Sequence, residues 1–351
     1  MGTDRKWRIG VIGCGAWGPN HVRNFSALPN AEVVGAADLQ EDRLARVKAL
    51  APGVALFTDT AEMMAATQPD AVVVSTPTMT HYEVVRQALQ AGTHVLCEKP
   101  LCLTGDEADA LVTLADERGV RLMVGHVFMF NPGILKLKEL IGAGELGSRI
   151  YYLFARRTNL GPIRSDVNAV LDLASHDVSI YNFLLDAVPT EVSAVGQSFL
   201  QPGIQDVAII TLTYPGGVIG SIHVSWLDPK KVREITVVGD RRMATWDDLA
   251  TLGPVMIFDK GVTKKPREYA DFGEFQLLTR DGDVTVPRVP PDEPLRMQAR
   301  AFIDAIECPD KIRSDGRVGA NVVRVLAAIN ESIAKGGAPV KVGVPKGGQH
   351  V

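Results

Sequence analysis

The chain has 351 residues, of which 46% are hydrophobic and 22% charged, and its formal net charge is -4. This length is enough for two domains with separate cores, and the balanced charge excludes a dedicated nucleic-acid or membrane-surface binder. No segment reads as a membrane span or a signal peptide, and the four cysteines form no CxxC pair, so we expect reduced thiols in a cytoplasmic protein.

A glycine-rich turn follows the first predicted strand, Trp7–Ile12, and opens a predicted helix. In such a GxGxxG turn, Gly13 permits the tight bend, Gly15 lets the backbone approach a pyrophosphate, and Gly18 lets the helix pack on the strand. The next predicted strand ends at Asp38, where an acid binds the adenine ribose hydroxyls. These features predict a dinucleotide site. Its residues are Gly13, Gly15, Ala16, Trp17, Gly18 and Asp38.

Strands and helices alternate from this turn as far as Gly125. The further predicted strands are 32–37, 54–57, 71–75, 94–97 and 121–125, and the further predicted helices are 43–50, 60–67, 80–91 and 105–118. Apolar strands that alternate with helices predict a doubly wound parallel sheet. We therefore expect an N-terminal Rossmann domain over residues 1–125.

One loop of this domain, Ser75-Thr76-Pro77, leaves the sheet at the carboxyl end of a strand, the edge at which open parallel sheets bind ligands. We expect Thr76 and Pro77 to flank the nicotinamide end of the cofactor. His81 lies on the following helix, near the proposed cofactor edge, where we expect a structural role or a role in supporting the residues that contact the cofactor, and no direct chemistry.

A second loop, Glu98-Lys99-Pro100, follows the next predicted strand at the same edge. Pro100 disfavours helix for the residue before it, so Lys99 is held extended. An ammonium group there can donate a hydrogen bond and stabilise negative charge on a substrate oxygen. The alternative is a solvated loop lysine beside a structural proline.

The chain after Gly125 changes character. Predicted strands at 150–155, 191–197, 207–214, 218–226, 232–239 and 255–258 are separated by turn signals, and predicted helices cover 132–140, 295–306 and 317–335. Long loops are expected over much of 253–294, which is rich in proline, glycine and charge. The pattern predicts a second α/β domain over 126–351 with a large, mainly antiparallel sheet. An uncovered apolar face on that sheet predicts a homo-oligomer that assembles through the second domain.

A second candidate site lies in this part of the chain. Asp172 and His176 are four residues apart and would share one face of an α-helix. A carboxylate beside an imidazole raises its basicity and orients it, as a general base requires. The alternative is an ordinary helix-stabilising ion pair. We find no further ligands at a suitable spacing, so we expect no metal.

The GxGxxG turn, Glu98-Lys99-Pro100 and Asp172-x-x-x-His176 together resemble the three signatures of the Gfo/Idh/MocA oxidoreductase family, and the resemblance runs through the whole chain. It implies a Rossmann domain joined to an α/β domain with an open sheet, and reversible oxidation of a sugar or cyclitol hydroxyl with a nicotinamide cofactor. It also implies that Lys99 and His176 are the catalytic pair and that Asp172 supports them. The predicted cofactor-binding residues further include Ser75, His81, Glu98 and Lys99. The same resemblance implies a homodimer or homotetramer.

The segment that runs into Asp172 is similar to the branch of this family that acts on nucleotide-linked sugars, notably UDP-N-acetylglucosamine 3-dehydrogenases. Arg157 and Arg164 would clamp anionic groups, and Asn159 and Asn168 would bind sugar hydroxyls. The alternative is a Gly-Pro loop with solvated arginines.

The resulting hypothesis is an NAD-dependent dehydrogenase in which His176 removes a proton from a sugar hydroxyl and Lys99 stabilises the alkoxide. NAD is expected over NADP, because Asp38 repels a 2′-phosphate and no basic residue follows it directly. The alternatives are an inositol-type cyclitol dehydrogenase, a nucleotide-sugar ketoreductase, and a dinucleotide-binding sensor without turnover. The sequence does not fix the sugar, its nucleotide or the direction of reaction.

Overall fold

The structure is a computed structural model that describes residues 5–264 and 277–344. The chain forms two units. The first runs to Asn131 and takes in Asp292–Ala327, and the second comprises Pro132–Pro291 and Ala328–Val342. We expected a single boundary near Gly125, whereas the structure returns Asp292–Ala327 to the first unit. The reason is packing: Phe302 meets Phe25 edge to face at 6.3 Å, and Ser314 Oγ donates to Val124 O at 2.9 Å.

The first unit contains a six-stranded parallel sheet of order β3-β2-β1-β4-β5-β6. Its strands are β1 (Trp7–Ile12), β2 (Ala31–Ala37), β3 (Ala55–Phe57), β4 (Ala71–Val74), β5 (His94–Glu98) and β6 (Leu122–Gly125). The central strands are apolar on both faces, and all four residues of β4 are fully buried. The predicted doubly wound parallel sheet is confirmed.

Helices complete the first unit. They are α1 (Gly18–Ser26), α2 (Glu41–Leu50), α3 (Thr60–Thr67), α4 (Thr78–Gln90) and α5 (Gly105–Arg118), and later in the chain α8 (Pro294–Glu307) and the greater part of α9 (Gly316–Ala334). One of them, α8, packs on α1. Local signals set the ends of these helices. Thr104 and Glu107 form a capping box at the start of α5, and Gly119 ends that helix with a left-handed φ of 65°.

The second unit contains a nine-stranded sheet, counted over the described residues, of order β14-β13-β12-β11-β7-β10-β9-β8-β15. Its strands are β7 (Ile150–Leu160), β8 (Glu191–Gln197), β9 (Val207–Thr213), β10 (Ile219–Ser225), β11 (Leu227–Gly239), β12 (Met243–Asp247), β13 (Val255–Lys264), β14 (Leu277–Thr285) and β15 (Val340–Lys341). Only β7 and β10 pair in parallel, so the expected mainly antiparallel sheet is confirmed. Helices α6 (Pro132–Gly142) and α7 (Ser175–Leu185) complete the unit.

Two local expectations for this unit are wrong. The long loops expected over 253–294 are in part strands, because β13 pairs with both β12 and β14; residues 265–276 of that range lie outside the described residues. Strand β7 continues to Leu160, beyond the predicted end at residue 155, so Arg157 and Asn159 lie on a strand and not in a loop. None of the described helices is both long and apolar enough to cross a membrane.

Candidate functional site

The glycine turn of the first unit has the shape of a dinucleotide cradle. Gly13 has a φ of 91°, and a Cβ atom there would lie 2.6 Å from the carbonyl carbon of Ser75. A Cβ on Gly18 would collide with the carbonyl oxygen of Gly13, whereas a Cβ on Gly15 would meet nothing within 4 Å. Two glycines are therefore required by close backbone packing, and the third faces open space in which a pyrophosphate fits.

Helix α1 begins directly after this turn. Its first turn carries no side-chain cap among the described residues, and Trp17, which precedes it, is 45% exposed. The amide of Asn20 donates back to Ala16 O at 3.0 Å. The uncapped N–H groups at the helix start can bind an anion, which again fits the phosphates of a dinucleotide.

Asp38 lies at the carboxyl end of β2, beside the turn. Its Oδ2 accepts from Cys14 N at 2.7 Å and its Oδ1 accepts from Gln40 N at 2.9 Å. Arg43, the nearest basic residue after Asp38 in the sequence, lies with its Nη1 3.6 Å from the same carboxylate. Backbone donors thus orient a buried carboxylate next to the cradle, where a ribose would lie.

The Lys99 loop begins at a buried carboxylate. Glu98 Oε1 accepts from His21 Nε2 at 2.9 Å, and Glu98 Oε2 accepts from the backbone N–H of half-buried Lys99 at 3.2 Å. Burial opposes ionisation of Glu98, but the His21 hydrogen bond and the charge of Lys99 outweigh it, so the pKa of Glu98 lies below its ordinary value. The Lys99–Pro100 peptide bond is cis. A cofactor contact for Glu98 stays a prediction, and its carboxylate is bonded within the protein.

His81 lies between the two loops. Its Nδ1 is 2.9 Å from Pro100 O, and its Nε2 is 2.9 Å from Thr76 O. The ring is buried, and burial lowers its pKa although both carbonyls act to raise it. Thr80, in the first turn of α4, donates through Oγ1 to Thr76 Oγ1 at 2.8 Å, and Pro77 directly precedes that helix.

Two buried histidines of this unit were missed by sequence reasoning. His21 lies on α1 and reaches Glu98, 77 positions away. His126 directly follows β6, is 1% exposed, and has no hydrogen-bond partner at either ring nitrogen among the residues that the structure describes. Burial, and then the charge of Lys99, lower the pKa of His126 to about 4. A polar residue at the end of a parallel strand was the signal that could have identified His126.

In the second unit, Asp172 lies in a π-helical turn, Val170–Ala174, and His176 lies in the first turn of α7. This differs from the single α-helix that we expected. The carboxylate of Asp172 accepts from Arg164 Nη1 and from Trp226 Nε1, each at 3.2 Å. The wider i→i+5 turn changes which side chains superpose, and such turns are frequent at functional sites.

The four predicted substrate-binding residues differ in surroundings. Arg157 is 3% exposed and donates through Nε and Nη2 to both oxygens of Asp177, at 2.9 and 2.8 Å. Arg157 is therefore not a solvated loop residue, and an anion contact for it stays a prediction. Arg157 is buried because its side chain lies on the inner side of β7, where it meets Asp177. Half-buried Asn159 donates to Gly161 O.

Arg164 and Asn168 are also engaged within the unit. Arg164 donates to both oxygens of Asp166 as well as to Asp172. Asn168 donates to Gln205 and Asn330, and its Oδ1 accepts from Leu171 N at 3.0 Å, which fixes the start of the π turn. Substrate contacts for these residues stay predictions. No group of metal-binding side chains occurs among the residues that the structure describes.

Comparison with known proteins places these features in context. Residues 7–126 match the model of the GFO/IDH/MocA oxidoreductase family, NAD-binding Rossmann fold, and residues 134–245 match the GFO/IDH/MocA C-terminal domain. UDP-N-acetylglucosamine 3-dehydrogenase of Acidithiobacillus ferrooxidans is 30% identical over 326 residues, 92% of this chain and 94% of its own. A solved structure of that enzyme has a TM-score of 0.80 with 28% identity, over 94% of this chain and 98% of its own. Inositol 2-dehydrogenase 2 of Paenarthrobacter aurescens is 33% identical over 228 residues, 62% of this chain and 68% of its own.

Proposed function

The chain belongs to the Gfo/Idh/MocA oxidoreductase family, and we propose that it oxidises the C3 hydroxyl of a nucleotide-linked sugar such as UDP-N-acetylglucosamine to a ketone, reversibly. The protein is an NAD-dependent oxidoreductase of sugars or polyols. One observation carries the finer proposal. Similarity to the UDP-N-acetylglucosamine 3-dehydrogenase extends over 92% of this chain, whereas similarity to the inositol dehydrogenase extends over 62%.

The proposed chemistry divides between two side chains. The bound cofactor supplies the hydride acceptor. His176 takes the hydroxyl proton as general base, and the ammonium of Lys99 stabilises the negative charge that develops on the oxygen. Asp172 orients and tunes His176 while Arg164 and Trp226 hold its carboxylate in place. In the opposite direction the same groups return the proton, as a ketoreductase requires.

Cyclitol oxidation is the second candidate, because inositol dehydrogenases are among the similar proteins. The relatives described above are dehydrogenases by name, which argues against a sensor without turnover.

A substrate panel separates these candidates. The purified protein with NAD is given UDP-N-acetylglucosamine, free N-acetylglucosamine, a dTDP-sugar and two inositols, and reduced nicotinamide is followed by absorbance. We expect turnover with the UDP-sugar and none with the free sugar. Reduction of the product with borodeuteride, followed by NMR, should place deuterium at C3. Turnover with inositol alone, or deuterium at another carbon, would refute the proposal. Lys99→Ala is the matched control, for which we expect no signal with any substrate.

We also propose that the protein is a homo-oligomer that assembles through the outer face of the second unit's sheet. On that face Ile219 lies beside Tyr152, and Ile209 beside Val195, and these four side chains are 46–54% exposed. Outward apolar residues in register on neighbouring strands form a surface that a second copy can cover. The cytoplasmic location stays a prediction.

A further inference from the structure

The ring of His81 faces the backbone of two separate loops. Its Nδ1 is 2.9 Å from the carbonyl oxygen of Pro100, the residue directly after Lys99, and its Nε2 is 2.9 Å from the carbonyl oxygen of Thr76. The two loops follow β4 and β5, which are paired in the sheet with Val74 beside Cys97. One imidazole therefore spans the gap between the two strand ends.

The loop after β4 is also tied to the glycine turn, because Ser75 Oγ donates to Gly13 O at 2.7 Å. The ring of His81 lies between this loop and Pro100. The residue directly after Lys99 and the loop beside the glycine turn therefore face opposite sides of one imidazole.

The protonation of the ring limits what it can hold. A neutral imidazole has one N–H, so it can donate to only one of two carbonyl oxygens, and only the imidazolium can donate to both. The ring is 1% exposed, and burial favours its neutral form. Glu98 is the charged group whose field favours the charged form. One carbonyl must then receive the hydrogen bond, and the Pro100 contact is the more deeply buried of the two.

We propose that His81 is a positioning residue for Lys99, whose Nδ1–H holds the carbonyl of Pro100 and so fixes the loop that presents the ammonium. This inference rests on the proposed function, in which Lys99 meets the substrate oxygen. Because the proton is on Nδ1, the ring donates a hydrogen bond through Nδ1 and not through Nε2. Loss of the Pro100 contact should reduce turnover, whereas loss of the Thr76 contact should leave turnover nearly unchanged.

Two amide variants separate the two ends. The amide nitrogen of His81→Asn reaches the position of Nδ1 and can still donate to Pro100, and the amide nitrogen of His81→Gln reaches the position of Nε2 and faces Thr76. We expect His81→Asn to keep kcat within about threefold of wild type. We expect His81→Gln to lose about tenfold in kcat, the worth of one net hydrogen bond, with KM for NAD within about twofold. If His81 only filled space, both variants would lose the ring and should have similar kcat values.

The control is His94→Asn, the same substitution at the other end of β5, where His94 Nδ1 accepts from Arg121 N at 2.9 Å. This variant should lose stability but keep kcat. Circular dichroism and thermal melting check the fold of each protein. If His81→Gln matches His81→Asn in kcat, or if KM for NAD rises in step with the loss of kcat, the inference is wrong.

A measurement on the unaltered ring keeps the inference testable even if His81→Gln does not fold. In enzyme with ¹⁵N-labelled histidine, the nitrogen shifts report which ring atom carries the proton, and His81→Asn identifies the signal. We expect the Nδ1–H form, and an Nε2–H form would overturn the inference. Lys99→Ala, assayed in parallel, tests the proposed function separately. An active Lys99→Ala refutes that function, whereas an inactive Lys99→Ala with a fully active His81→Gln refutes only the role of His81.

Discussion

The indole Nε1–H of Trp226 donates to the Oδ2 atom of Asp172 at 3.2 Å, while Arg164 Nη1 donates to the other oxygen of the same carboxylate at 3.2 Å. Trp226 is fully buried at the end of β10, so its indole is a fixed donor. Asp172 is therefore oriented by two partners, and part of its charge is compensated by Arg164.

His176→Ala should reduce kcat by about 10²–10⁴-fold, the usual worth of a positioned acid or base.

Asp172→Asn should reduce kcat by less than His176→Ala does. It should also lower the pKa seen in the profile of kcat/KM against pH, since the lost negative charge favoured imidazolium. Because Arg164 compensates that charge, the pKa should fall further in Asp172→Asn than in the double variant with Arg164→Gln. Trp226→Phe should reduce kcat by several fold with KM little changed. Equal kcat in all these variants would show that the Asp172–His176 pair does no chemistry.

Asp38 and Arg43 should together decide which cofactor is used. The carboxylate of Asp38 disfavours a 2′-phosphate, but Arg43 lies 3.6 Å from it and can bind that phosphate once the acid is removed. We expect Asp38→Ser to raise kcat/KM for NADP relative to NAD about tenfold or more, as for a hydrogen bond to a charged group. Asp38→Ser with Arg43→Ala is the control and should lose this gain. An unchanged ratio in Asp38→Ser would show that the ribose lies elsewhere.

The buried pair of Arg157 and Asp177 should stabilise the second unit. Both side chains are under 5% exposed, and two hydrogen bonds join them. Arg157→Ala leaves the Asp177 carboxylate buried without its partner and should lower the free energy of unfolding by about 3–5 kcal/mol in urea denaturation. The double variant with Arg157→Met and Asp177→Leu should lose much less. If Arg157→Ala instead raises KM for the sugar at unchanged stability, Arg157 binds substrate after all.

His126 should make folding sensitive to acid. Its pKa is about 4 in the folded protein against an ordinary value of 6.5. Between these values the unfolded chain binds more protons, so the free energy of unfolding falls as pH falls through this window. From pH 7 to 5, His126→Gln should lose about 2 kcal/mol less than wild type. His81 titrates in the same direction but is present in both proteins, so its contribution cancels. The prediction is contradicted if the free energy of unfolding depends on pH in the same way in wild type and in His126→Gln.

The outer sheet face should carry the contact between copies. Ile209→Arg places a charge among the outward apolar side chains and should shift the protein toward the monomer in light scattering at micromolar concentration. Leu252 is 90% exposed in a turn of the same unit, and Leu252→Arg is the matched control that should leave the oligomer intact. A monomeric wild type would refute assembly through this face.

Local sequence signals predicted the first unit well. The GxGxxG turn, Asp38 and the Lys99 loop all lie at strand ends where the alternation of strands and helices put them. These signals did not predict contacts between residues that lie far apart in the sequence. The pairing of His21 with Glu98 joins positions 77 apart, and nothing near either residue indicates it. Arg157 looked like a loop residue because a Gly-Pro pair follows, whereas its role depends on Asp177, 20 positions later. Likewise, the apolar faces of α8 and α9 do not indicate which of the two units these helices pack against.

The return of Asp292–Ala327 to the first unit has a consequence for synthesis on the ribosome. Phe25 and Val124 are made early, but their partners Phe302 and Ser314 emerge only after the whole of the second unit's sheet, apart from β15, has been translated. At 5–20 residues per second the delay is on the order of ten seconds or more. During that time the nascent first unit exposes the face of α1 around Phe25 that α8 will cover, so we expect it to bind chaperones that recognise apolar segments. A gene fragment that stops at Asn131 would keep that surface exposed permanently, so a stable isolated cofactor domain requires residues 292–327 to be joined to it.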